Sequence, residues 1–175
     1  MRRSSSGAGA VLGVAACMLA GIGCEAGPGG PAVGKSRNDL ASMDTAVITI
    51  NGHKFQVWIA RTPRQRELGL MRVTAEEMKT LPDGVERGML FVFPAEQRLQ
   101  FWMKDTIIPL DIAFLRSDGH IVKTHTMAPL ETRLYPSMMP ALMALEVNAG
   151  LFHKLGIVEG DKVEIPESVL KPGAS

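Results

Sequence analysis

The sequence predicts a mainly β, α+β fold: a compact sandwich or partly closed barrel of about seven to nine short strands with two or three appended helices. Short β-branched and aromatic runs recur from Ala46 onward. Turn signals such as Asn51-Gly52, Asp118-Gly119 and Gly160-Asp161 punctuate them. Helix start signals, by contrast, open only brief stretches.

The chain begins with Arg2 and Arg3, followed by an uncharged apolar run from Gly7 to Gly23. That run is short for a spanning helix, which needs roughly 20 residues. Gly21-Ile22-Gly23-Cys24 places small residues before a cysteine, so residues 1–24 read as a signal segment with a lipobox and Cys24 as the lipidated residue. Val14-Ala15-Ala16-Cys17 matches lipobox letters better and makes Cys17 the alternative. Cleavage before Cys17 would leave apolar Met18–Ile22 at the new terminus, whereas Cys24 is followed at once by linker. Residues 25–44 are rich in Gly and Pro and read as a flexible tether. About twenty such residues span on the order of 25 Å. Residues 45–168 form the single globular domain, and 169–175 a short tail.

Within that domain, Val47–Ile50 and Phe55–Ile59 flank Asn51-Gly52 as a hairpin. Thr62-Pro63 opens a helix through Leu70, with Gly69 near its end, and Thr74-Ala75-Glu76-Glu77 opens a second that Pro82 stops. Met89–Phe93 reads as a buried strand ended by Pro94. Leu99–Met103, Leu110–Leu115 and Ile121–Thr124 follow as strands, while Ala141–Val147 fits strand or helix. Ala149–Leu155 reads as a short helix capped by Gly156, and Lys162–Ile165 as the last strand.

Composition narrows the function classes. Nineteen basic residues against eighteen acidic ones give a net charge of +1. Without Arg2 and Arg3 the balance is 17 − 18 = −1. Neither value supplies the basic excess that phosphate contacts require, so no nucleic-acid partner is expected. Both cysteines lie in the leader, leaving the domain no disulfide, thiol nucleophile or thiolate ligand. Phosphate-loop, Gly-x-Ser-x-Gly and His-Glu-x-x-His signatures are absent. No cofactor is expected.

Three blocks are distinctive: Gly69-Leu70-Met71-Arg72, Gly88-Met89-Leu90-Phe91-Val92-Phe93, and the run from Phe101-Trp102-Met103-Lys104-Asp105-Thr106 through Pro109-Leu110-Asp111-Ile112-Ala113-Phe114. Tyr135-Pro136-Ser137, Leu145-Glu146 and Gly156-Ile157 with Gly160-Asp161 extend the pattern. Together they resemble the domain-of-unknown-function 192 family over roughly Ala46–Ile165. The resemblance implies a small strand-dominated fold and no established activity. The usual Asn after the Lys is Asp105 here, and the Pro-Cys pairs of many relatives are missing.

The candidate binding residues are Arg66, Arg72, Trp102, Lys104, Asp111, Tyr135, Ser137 and Glu146. Asp111 is the one carboxylate in an otherwise apolar strand, so it needs a cation or backbone donors, with Lys104, Arg66 or Arg72 as the cation. The plain alternative is a structural ion pair. Trp102 beside Lys104 offers a stacking surface next to a cation. Ser137 lacks an identifiable base and reads as a turn residue. His120 and His125, five apart on one strand, face opposite ways and make a poor metal pair. Met138, Met139 and Met143, with Met127 nearby, offer thioethers to a soft metal such as copper, or an adaptable apolar face to a partner protein.

The expectation is an exported, membrane-anchored lipoprotein facing the periplasm or cell exterior, working as a tethered binding or interaction module. Its partners are the membrane, through the lipid anchor, and a small molecule or envelope protein. The alternatives are a hydrolase-like enzyme acting on an envelope glycan or small anionic metabolite with Asp111 and Glu146 as paired carboxyls, and copper binding through the methionines.

Overall fold

The computed structural model describes residues 37–171. The leader, with Cys17 and Cys24, and the first part of the tether lie outside the described residues. A 3-10 turn, Leu40–Ser42, precedes β1 (Thr45–Ile50), β2 (His53–Ala60), α1 (Pro63–Leu68) and β3 (Glu86–Phe101). Then come β4 (Leu110–Leu115), β5 (Ile121–Met127), β6 (Tyr135–Asn148), α2 (Leu151–Leu155), β7 (Val163–Glu164) and α3 (Glu167–Leu170).

The seven strands form one sheet in the order β5-β4-β6-β3-β2-β1-β7. Only β2 and β3 are parallel. The sheet curls until its two edges meet beside the start of β5. There His120 bridges Lys162, the Ile121 amide donates to the Asp161 carbonyl (2.9 Å) and the Val163 amide to the Gly119 carbonyl (2.9 Å). The result is the expected partly closed barrel, with three short helices.

Side-chain alternation divides the core in two. Ile48, Phe55, Leu90, Ala113, Ile121, Leu145 and Val163, contributed by all seven strands, fill the barrel, with Phe152 of α2 and Val169 of α3 packed on them. The other face carries Met89, Phe91, Ile112, Phe114 and Ala144. Leu70, Val73, Met78, Met103 and Ile108 from the connecting segments cover it. The β2–β3 crossover thereby lays α1 over the outer face of the sheet.

Local signals explain most elements. Asn51 and Gly52 both adopt left-handed φ (50° and 82°), as the two-residue hairpin requires. Thr62 and Gln65 form a reciprocal capping box around Pro63 at the start of α1.

The structure departs from the sequence reading in four places. Pro94 does not end a strand: β3 runs on to Phe101, and its register against β6 shifts between Val92 and Gln97. A proline is tolerated there because a bulge removes the need for its missing donor. The Thr74 start signal forms its cap, with Glu77 accepting from the Thr74 amide at 2.9 Å, but Pro82 leaves room for only one turn. Ala141–Val147 is strand, the last half of a β6 that begins at Tyr135. Finally, the domain reaches beyond residues 45–168. Asn38 is buried and its amide donates to the carbonyls of Gln65 and Gly69 (2.9 Å each), while Val169 packs into the barrel core.

Candidate functional site

The register of β6 decides where its carboxylate goes. Met143, Leu145 and Val147 point into the barrel, so Ala144 and Glu146 point to the outer face. Glu146 pairs with Met89 of β3 and with Ile112 of β4. Gly88 keeps β3 close at this point: a Cβ there would stand 2.6 Å from the Glu146 carbonyl oxygen.

Glu146 is only 4% exposed. Its carboxyl has no hydrogen-bond or ion-pair partner among the described residues, and burial alone pushes its pKa up to about 8. It is therefore mainly a neutral acid at pH 7. Asp111 and Glu86, the other buried carboxylates among the described residues, both have partners.

Glu146 lines a cleft of about 350 Å³. One wall is α1 and the segment after it, including Arg66, Glu67 and Gly69. The other brings Phe91, Phe93 and Phe101 of β3 together with Trp102 and Thr106 from the following loop. Phe91 and Phe101 meet edge to face at 4.9 Å. Trp102 is 45% exposed, and the Lys104 ammonium lies 5.2 Å from its ring centre. Gly69 turns the chain at φ 45° and ψ −132°, where a Cβ would lie 3.2 Å from the Phe91 ring. That close approach suits glycine alone.

Arg66 is held in place. One of its guanidinium nitrogens donates to the carbonyls of Arg61 and Val92 (3.0 Å to Val92), and the group stacks 4.9 Å over Phe93. Arg72 and Asp105 tie the two loops beside the cleft. The Arg72 amide donates to the Asp105 carbonyl (2.9 Å), and their side chains pair at 3.2 Å. Both residues have left-handed φ, 59° and 56°.

The cleft thus gathers Arg66, Trp102 and Glu146 from the sequence candidates, while Lys104 stacks on Trp102 without joining the lining. The others lie elsewhere. Asp111 accepts from the Thr126 hydroxyl (2.7 Å) and from the Phe152 amide (3.1 Å). It supplies the N-terminal acceptor that Gly150 cannot offer α2, so backbone and hydroxyl donors, and no cation, satisfy it. Asp111 and Glu146 do not form a catalytic pair, because their strand positions send them to opposite faces of the sheet. Tyr135 is buried and hydrogen-bonded to Glu131 and Arg133. Ser137 accepts from the Leu99 amide and donates to the Met139 carbonyl, a bulge-fixing role.

The thioether cluster also fails. Met127 and Met143 are fully buried in different cores, while Met138 and Met139 are exposed. Among the described residues, no group of three His, Cys, Asp or Glu is placed to hold a metal.

Glu67, Gln100 and Thr106 belong to the cleft and were missed by sequence reasoning. The available signal was the set of motifs itself: residues of all three distinctive blocks and Glu146 of the Leu145-Glu146 pair meet at this one place.

Comparison with known proteins agrees with this fold. The profile of the DUF192 family, described as an uncharacterized ACR, matches residues 46–165. A crystal structure from Sinorhizobium meliloti 1021, provisionally described as a transcription regulator, is 33% identical, with 70% of this chain and 95% of that one covered and a TM-score of 0.63. A protein of unknown function from Novosphingobium aromaticivorans DSM 12444 is 32% identical, with 74% and 91% covered and a TM-score of 0.64. No curated protein matches. The chain belongs to the DUF192 family.

Proposed function

We propose that this DUF192 protein is a small-molecule binding module, tethered outside the cytoplasm through a lipidated Cys24, whose site is the cleft floored by Glu146. One observation carries the reading: a carboxyl buried without an internal partner, lining a cleft. Burying such a group costs free energy, and an arrangement that costs stability fits a ligand site better than a scaffold. A volume of about 350 Å³ lies at the small end of the range for ligand pockets, roughly 300–1,000 Å³. The tether and lipobox motivate the location.

A thermal-shift screen of the full chain against small amines, sugars and carboxylic acids tests the site. A ligand at 100 times its Kd adds about 2.7 kcal/mol to stability. At least one class should stabilise the wild type and leave Glu146→Gln unchanged. Hits that persist in Glu146→Gln, or none in any class, would remove the cleft from consideration. The anchor has its own test: labelled palmitate should enter the wild type and Cys17→Ser, but not Cys24→Ser. Label retained in Cys24→Ser would refute the assignment.

A further inference from the structure

We infer that the cleft takes a small organic ammonium, with its N–H groups on the Glu146 carboxylate and its apolar body against the aromatic wall. This rests on the binding role proposed above and names the ligand class.

The first argument is the missing counter-ion. Asp111 and Glu86 are satisfied within the protein, whereas Glu146 has no donor or cation among the described residues. Glu146 is mainly a neutral acid at pH 7, so an ammonium that binds there releases the Glu146 proton to solvent and gives its N–H groups to the carboxylate that forms. A cation completes the site best, because only a charged partner offsets a carboxylate in so dry a place.

The second argument is the wall. The rings of Phe93, Phe101 and Trp102 line the same cleft. Aromatic faces are electron-rich, so they attract cations and give an anion nothing.

The third argument is charge. Arg66 is the cation on the lining, and it already donates to two backbone carbonyls and stacks on Phe93. Lys104 sits over Trp102. On the same side of the cleft as Arg66, Glu67 adds a second carboxylate, paired at 2.9 Å with Arg64 on the exposed face of α1. From β3 and the following loop, Gln100 and Thr106 contribute neutral polar groups. A carboxylate or phosphate would have Arg66 alone on the lining to offset it, and that guanidinium is already tied through one nitrogen to two carbonyls and through its face to the Phe93 ring. The N–H requirement favours primary to tertiary amines over quaternary ones.

The test is a calorimetric titration of the full chain with benzylammonium, benzyl alcohol and benzoate, repeated in Glu146→Gln and Trp102→Ala. Benzylammonium should bind about tenfold or more tightly than either analogue. It should weaken by at least about tenfold in Glu146→Gln and measurably in Trp102→Ala. Trp102→Ala serves as a second reporter because Trp102 is exposed and its loss leaves the core intact. Benzyl alcohol or benzoate binding as tightly as the amine, and depending on Glu146, would keep the cleft as a ligand site and overturn the ammonium assignment. No amine binding, or amine binding indifferent to both substitutions, would overturn it as well.

Discussion

Asp111 and Glu146 lie on adjacent strands one position out of register, Asp111 opposite Val147 and Glu146 opposite Ile112, so one points into the barrel side and the other into the cleft. The two carboxylates separate structure from function. Asp111 is saturated by Thr126 and the Phe152 amide. Asp111→Ala should cost about 2–4 kcal/mol in urea unfolding, the loss of two hydrogen bonds to a buried carboxyl group. Ligand affinity at the cleft should stay within about twofold, since additivity holds for sites without shared partners. Normal stability with lost binding would reverse the assignment.

Glu146 also sets a pH dependence. Its pKa is pushed from 4.5 up to about 8 by burial, so the folded protein keeps a proton that the unfolded chain releases. Its contribution to stability is intact below about pH 4.5, falls by about 1.4 kcal/mol per pH unit toward pH 8, then levels off. Glu77 acts in the opposite sense. Its hydrogen bond with Arg37 holds it at about 2, so its contribution is present above 4.5 and is lost as pH falls. Comparing wild type with Glu146→Gln isolates the first effect. The stability of the Gln variant relative to wild type should rise steadily from pH 5 to pH 8, and a flat difference would contradict a raised pKa.

Gly69 should tolerate no side chain. Its backbone (φ 45°, ψ −132°) and the Phe91 ring at 3.2 Å both oppose a Cβ. Gly69→Ala should destabilise by about 1–3 kcal/mol. It should also weaken cleft ligands, because Phe91 and Gly69 are both part of the lining. Crystallography of the variant would show the displaced ring, and an unmoved Phe91 with full stability would contradict the packing.

Asn38 fastens the segment before β1 to the end of α1, through the carbonyls of Gln65 and Gly69. Asn38→Ala leaves those groups without this donor and should cost about 1–3 kcal/mol. Hydrogen exchange should speed up in residues 65–73, next to the cleft. Unchanged exchange there would show that the contact is incidental.

Much of the fold was legible because local chemistry and tertiary structure agree. Asn51-Gly52 and Thr62-Pro63 determine their own backbone geometry, and the structure keeps both. Pro94 misled because a bulge is a property of two strands, and the partner positions on β6 cannot be read from the Pro94 neighbourhood. Asn38 was hidden in a Gly/Pro-rich stretch whose composition argues for disorder, and only the tertiary contact with Gln65 and Gly69 orders it. At the site, alternation correctly marked Asp111 as buried, but its partners, Thr126 and the Phe152 amide, lie 15 and 41 residues away in sequence. Glu146 was singled out, yet its lack of a partner is a three-dimensional fact, and so is the meeting of Glu67, Gln100 and Thr106 around it.

The most direct test of the binding cleft is the unfolding free energy of Glu146→Leu against wild type at pH 8, measured in urea on the full chain. A carboxyl kept for a ligand costs stability, so the Leu variant should be more stable by about 1–4 kcal/mol while its cleft stops responding to ligands. A variant less stable than wild type by about 2 kcal/mol or more would mean that Glu146 holds the fold together, and the cleft would lose its claim as a binding site.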